Sequence, residues 1–193
     1  ENVANPRYDL AILTLSEDFT DIAPVAVSPN VPELADDESL LGKKGTLIGY
    51  GDYGQPIATS GNSDGLRRAA ENIIDSVDDG LIRFDYDSTY SFDQKNNNQG
   101  LTSPNLDGSF PEFTPVPDSS PKPIRLEGGI GPGDSGGPLL VESDAGPTVV
   151  GVASEFIDPD PLGTPISGYG SIYVYSALDD PKTLDFLSAE DII

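Results

Sequence analysis

An all-β fold is predicted by three observations. Apolar residues fall in short runs rich in Val, Ile, Leu and Tyr, separated by turn formers, the pattern of a sandwich or barrel. The chain holds 21 Gly and 18 Pro, with only 36% hydrophobic residues, which suits a turn-rich β protein better than a helical one. The run Leu81 to Tyr86 (LIRFDY) alternates apolar and polar residues with the period of a half-buried strand. At 193 residues a single compact unit is the default, able to bury roughly 70% of its unfolded surface.

Tyr8 to Leu15 (YDLAILTL) is the first strand candidate. A Pro- and Asp-rich connector follows, from Ser16 to Leu40. Gly45 to Tyr50 (GTLIGY) reads as a second strand, closed by Gly51, Asp52 and Gly54. Arg67 to Val77 is open between two states, because its Ala and Glu favour helix while Ile73 and Ile74 favour strand. After the strand Leu81 to Tyr86 comes a Pro-rich stretch, 88–122, containing Asn96, Asn97 and Asn98 in a row. It is too long for a plain connector and reads as a solvated insertion or a loop that shapes a cleft. Strands resume with Gly137 to Val141, Thr148 to Ala153 and Ser171 to Ser176. An amphipathic helix is expected over 180–193, with Pro181 in its first turn and Leu184, Phe186, Leu187 and Ile192 set among acidic residues. No internal repeat is present.

Ten Lys+Arg stand against 33 Asp+Glu, a net charge of −23. Such a surface repels phosphate backbones and anionic lipid, which argues against nucleic-acid binding and a basic membrane patch. There is no Cys and no His, so thiol nucleophiles, disulfides, Cys-based zinc sites and the commonest general base are absent from these residues. Three acidic groups stand out: Asp75, Asp78 and Asp79; Asp85, Asp87 and Asp93; Asp158 and Asp160. None carries a full calcium-loop pattern, so solvated acidic surface is expected, with no metal and no cofactor. No apolar run is long enough to cross a membrane. The chain starts at Glu1 without an initiator Met, so processing or excerpting of its ends is expected. The charge suits an extracellular or cell-surface setting, where salt screens self-repulsion.

The segment that carries chemistry is Gly131 to Leu140, GPGDSGGPLL. Glycines on both sides of Ser135 let the backbone turn sharply and let a carbonyl approach. A turn of this kind exposes the serine hydroxyl, and the N–H groups of Gly133 and Ser135 are candidates for an oxyanion hole. Asp134, beside the candidate nucleophile, calls for a buried cationic partner to hold the loop in shape.

GDSGGPLL resembles the nucleophile loop of the trypsin/chymotrypsin-like serine proteases, and the resemblance runs from about Tyr8 to the end of the chain. YDLAIL at Tyr8 to Leu13 is similar to the family strand that carries the triad aspartate, which implies that role for Asp9. TLIGYG at Thr46 to Gly51 is similar to the strand that opens the second barrel, and VVGVAS at Val149 to Ser154 to the strand lining the substrate cleft. Tyr169 to Leu178, then Phe186 and Leu187, resemble the last strand and the C-terminal helix. The lack of Cys points to the secreted or surface-attached bacterial members. The resemblance implies a chymotrypsin-like double β-barrel. Residues 1–17 would be the last strand of the first barrel, 18–40 the connector between barrels, and 41–193 the complete second barrel with its long loop 88–122 and terminal helix 180–193.

The order aspartate then serine fits this family, whose histidine precedes both. Asp9 precedes Ser135 by about 126 residues against roughly 93 in the chymotrypsin arrangement, and the stretch 88–122 can hold the excess. The histidine is expected about 45 residues before the aspartate, on a segment outside these 193 residues. Lys43 and Lys44 have no positional support as substitutes. The implied activity is peptide hydrolysis by a Ser-His-Asp acyl-enzyme mechanism on a protein or peptide substrate, with this fragment inactive alone and partnered by the N-terminal portion of the same domain. The alternative is an inactive protease-like domain used for binding or structure. By the same resemblance Asp134 receives an N-terminal ammonium after activation. The specificity pocket would have Gly129 at its base, Ser154, Glu155 and Phe156 on one wall and Gly170 opposite. Phe156 either narrows that pocket or is ordinary packing.

Overall fold

A computed structural model of the chain describes residues 8–34, 37–54, 61–87, 123–157 and 171–190. Within them the protein is mostly β. The strands are β1 (Ala26–Val27), β2 (Lys44–Gly49), β3 (Arg68–Ile73), β4 (Ser76–Asp78), β5 (Leu81–Asp85), β6 (Pro138–Ser143), β7 (Gly146–Ile157) and β8 (Ile172–Ala177). A four-residue helix, α1 (Asp37–Leu40), precedes β2, and α2 (Pro181–Ala189) ends the described chain. The strands form one sheet in the order β3-β2-β6-β7-β8-β5-β4, antiparallel throughout, with β1 added in parallel to β7. The stretch 67–77, ambiguous in sequence, is two strands: cross-strand pairing along β2 overrides the helix preference of Ala69, Ala70 and Glu71.

The topology explains why this sheet is curled into a half-barrel. β3 and β4 lie at opposite ends of the strand order, yet only Ile74 and Asp75 separate them in sequence. A trans chain spans at most about 3.6 Å per residue, so the two edges must come together. Hydrogen bonds fasten that corner. Ile74 N–H donates to the Lys43 carbonyl at 2.9 Å, Asp75 N–H to the Arg83 carbonyl at 3.0 Å, and Asn72 Nδ2 to the Asp85 carbonyl at 2.7 Å. The β4–β5 hairpin closes through Asp79 and Gly80, both with positive φ (58° and 76°), as a two-residue turn between twisted strands requires.

The concave face holds the main core, where Leu47, Ile74, Ile82, Phe84, Leu139, Val150, Tyr173 and Tyr175 are buried together. Phe84 stands between two aromatic neighbours, its ring centroid 5.5 Å from those of both Tyr173 and Tyr175. The convex face of β7 and β8 is covered by α2, whose Leu187 packs with Val149 and Leu178. Asp180 caps this helix, accepting from the N–H groups of Lys182 and Thr183, and Pro181 occupies its first turn.

The N-terminal stretch differs from the strand expected there. Residues 9–15 make no sheet ladder among the described residues. Leu10 and Ile12 are half-buried against the cluster of Val149, Leu178 and Leu187, so side-chain packing on the convex face holds the segment. Beyond them Leu13 and Leu15 stand in solvent, as do Phe19, Ile22 and Val25. The 18–40 connector carries β1, two single 3₁₀ turns and α1. The loop 88–122 and the segment 158–170 lie outside the described residues.

Because Phe84 is fully buried between two rings, Phe84→Ala is expected to lower the unfolding free energy by about 3–5 kcal/mol. Urea denaturation of the two proteins would measure it, and a loss under about 1 kcal/mol would contradict this account of the core.

Candidate functional site

Ser135 lies in an exposed turn that leads directly into β6. The turn is built from local hydrogen bonds: Asp134 N–H to the Gly131 carbonyl at 3.0 Å, and Gly137 N–H to the Asp134 carbonyl at 2.9 Å. It is then clipped to β7 by a reciprocal pair, Gly136 N–H to the Ala153 carbonyl and Ala153 N–H to the Gly137 carbonyl, both 2.8 Å. Gly133 (φ 93°) and Gly136 (φ 81°) adopt the left-handed backbone that a side chain would strain. The N–H groups of Gly133 and Ser135 donate to no protein acceptor among the described residues. Two backbone donors beside an exposed hydroxyl are what an oxyanion-binding turn requires.

Asp134 is held differently from expectation. Its Oδ1 accepts from Gly51 N–H at 2.7 Å and its Oδ2 from Gly131 N–H at 2.9 Å. Two peptide donors thus fix the carboxylate, and it forms no ion pair among the described residues. Gly49 and Gly51 are needed here for space, because a Cβ on either would collide with the Asp134 carboxylate. The same aspartate lies on the wall of a cleft of about 260 Å³ between the β2–β3 hairpin and the segment 127–134. Asp52 and Glu127 also line that cleft.

Asp9 is carried to the same end of β7. Its Oδ2 accepts from the Ser154 hydroxyl at 3.0 Å, and its N–H donates to Ser176 Oγ at 3.3 Å. Ser154 is the extra residue of a bulge, since Ala153 pairs with Tyr175 and Glu155 with Val174. A bulge re-aims the side chain it carries. Ser154 therefore follows directly on Ala153, the residue that clips the Ser135 turn, and reaches out to Asp9. The carboxylate is exposed on its other side.

The expected pocket residues are spread over three settings. Gly129 lines the cleft, and its Cα lies so close to the Tyr173 ring that any Cβ there would enter the ring. Ser154 is engaged with Asp9. Phe156 is half-buried, pairs with Tyr173 across the sheet and packs on the main core. Gly170 lies outside the described residues.

The acidic groups depart from the solvated surface expected of them. Asp78 and Asp79 are exposed, but Asp85 and Asp87 are buried, at 2% and 4% exposure. Asp93, Asp158 and Asp160 lie outside the described residues. The barrel corner brings Asp75, Asp85, Asp87 and Glu127 together, which a linear reading could not anticipate. Asp85 N–H donates to Asp75 Oδ2 at 3.3 Å. Burial, with the charges of Asp75 and Asp87 adding to it, pushes the Asp85 carboxyl up to about 10. Burial likewise raises Glu127 to about 7, although the two backbone N–H groups it accepts pull the other way. Tyr175 is raised well above the usual phenol range, by burial first and then by the charge of Asp134.

No protein-family model matches this chain, and no curated protein is significantly similar to it.

The sign of the Asp85 shift gives a test. The folded state keeps a proton that the unfolded chain releases near pH 4, so this stabilisation is complete in acid and is lost as pH rises through about 10. Asp85→Asn is a neutral isostere of the protonated acid. Its Tm relative to the parent is expected to rise by more than about 4 °C between pH 5 and pH 9. Parallel curves of Tm against pH would refute the buried proton.

Proposed function

We propose that this chain is the C-terminal part of a serine endopeptidase of the trypsin/chymotrypsin-like type, with its histidine base on a segment outside these 193 residues. One observation carries the reading. A glycine-bracketed turn that exposes Ser135 beside two unengaged N–H groups is clipped to the strand whose next residue, Ser154, holds Asp9.

The chemistry follows from those positions. Ser135 Oγ attacks the peptide carbonyl while the histidine takes its proton. The Gly133 and Ser135 N–H groups receive the negative charge that develops on the carbonyl oxygen. Asp9 orients the imidazole and stabilises its charged form, and the Ser154 hydroxyl fixes the carboxylate for that task. The imidazolium returns its proton to the leaving amine, and water repeats the sequence on the acyl-enzyme. Asp134 would meet an N-terminal ammonium through the cleft beside it, whose other carboxylates, Asp52 and Glu127, favour a cation there.

The exposed Leu13, Leu15, Phe19, Ile22 and Val25 give the N-terminal portion of the domain an apolar surface to pack on. The charge of −23 supports an extracellular or cell-surface location and a protein or peptide substrate rather than nucleic acid. No described helix is long and apolar enough to cross a membrane. The absence of any His in the chain favours a second reading, a protease-like domain that binds without catalysis.

A fluorophosphonate probe separates the two. In the protein carrying its upstream segment, Ser135 is expected to be labelled and Ser135→Ala is not. A wild-type protein that stays unlabelled while a control protease reacts would leave only the binding reading. The 193-residue chain alone is expected to show no peptidase activity, and hydrolysis abolished by Ser135→Ala in that chain would overturn the external base.

A further inference from the structure

We propose that the Glu127 carboxylate is a positioning residue: in its ionised form it fastens the backbone at Asp87 and at Ile124 to the stretch that leads into Ser135, and loss of its charge loosens the Ser135 turn. The clamp stands on geometry independent of the protease reading. Only its consequence for reactivity rests on that reading.

Glu127 uses both oxygens. Oε1 accepts from Asp87 N–H at 2.5 Å, the last described residue before the segment. Oε2 accepts from Ile124 N–H at 2.5 Å, just beyond its other end. One side chain therefore joins two backbone positions that are 37 apart in the chain, Asp87 and Ile124. The backbone around it is fixed to β3, through Glu71 N–H to the Leu126 carbonyl at 2.9 Å and Gly128 N–H to the Glu71 carbonyl at 3.1 Å. Buried Asn72 completes the link, its Nδ2 donating to the carbonyls of both Asp85 and Gly128. From Gly128 the chain has little freedom before the nucleophile. Gly129 lies against Tyr173, and Gly131 supplies both an N–H to the Asp134 carboxylate and a carbonyl to the Asp134 N–H.

Only the ionised form can accept two N–H bonds well, because protonation converts one oxygen into a hydroxyl donor. The neighbours make that proton easy to gain. Asp75 at the barrel corner and Asp85 at the end of β5 act on Glu127, Asp87 offers it a backbone N–H, Tyr86 lines the same cleft, and Glu71 on β3 is committed to Lys44 at 2.6 Å. No described Lys or Arg pairs with Glu127, and Arg68 across the cleft is taken by Asp64. Burial thus sets the proton uptake near pH 7, inside the range where a secreted protein works.

Hydrogen exchange of the 193-residue chain, read by mass spectrometry as protection factors between pH 5.5 and 8.5, tests this. At pH 8.5 Glu127→Gln is expected to lose about tenfold or more protection in peptides covering Asp87 and Ile124, with a smaller loss over 131–137. The parent is expected to lose the same protection on acidification through pH 7, and the variant to show no such step. Unchanged protection at Asp87 and Ile124 would remove the clamp. A loss there without any change over 131–137 would remove its coupling to Ser135. A parent profile flat in pH would remove the role of the charge, and that measurement needs no variant to fold. In the protein carrying its upstream segment, the fluorophosphonate labelling rate of the parent should rise through the same pH step more steeply than that of Glu127→Gln. Absence of labelling in both would count against the protease reading while leaving the exchange result to judge the clamp.

Discussion

The structure depends on a corner of two residues. Ile74 and Asp75 join the strands at opposite ends of the sheet, so the sheet must curl until its edges meet. Curling creates the concave side that Phe84, Tyr173 and Tyr175 fill. It also brings β3 beside β5, where Asn72 bonds to the carbonyls of Asp85 and Gly128. The stretch from Glu127 to Ser135 is laid along that corner, so its position follows from the same closure.

Two long-range attachments then define the candidate site. The Ser135 turn is clipped to β7 at Ala153, and the Ser154 bulge one residue later reaches Asp9. The N-terminal segment arrives without sheet bonding, guided by apolar packing of Leu10 and Ile12 under α2. Asp134 adds internal rigidity by accepting from Gly51 and Gly131, which tie the turn to the end of β2. An exposed serine on so constrained a loop is pre-organised, because the entropy of fixing the turn is lost on folding and not at the moment of binding.

Charge works in opposite ways at the surface and in this corner. Most of the acidic residues whose burial is described are exposed, and they make that surface negative. Asp85 and Asp87 are buried instead, and at Asp85 burial disfavours the charged carboxylate, so a proton replaces a counter-charge there. Runs of acidic residues read as solvated face because that is where most carboxylates lie. Asp85 departs from the rule because it ends a strand, β5, that is buried on both faces at that point. Ser154 was legible as part of an apolar strand, but not as the partner of Asp9, since the bulge that turns it depends on pairing with Tyr175 and Val174.

The sequence by itself determined the strand-rich class, most strand positions, the C-terminal helix and the Gly-Asp-Ser-Gly-Gly turn. Those features rest on local causes: side-chain periodicity, the fixed φ of Pro181, and the positive φ that glycine tolerates at Gly133 and Gly136. Tertiary structure alone decided that Asp9 meets Ser154, that peptide N–H groups hold Asp134, and that Glu127 bridges Asp87 and Ile124. Each of these joins residues far apart in the chain. Their meeting is set by strand register and by closure of the curled sheet, neither of which is a property of a local stretch of sequence.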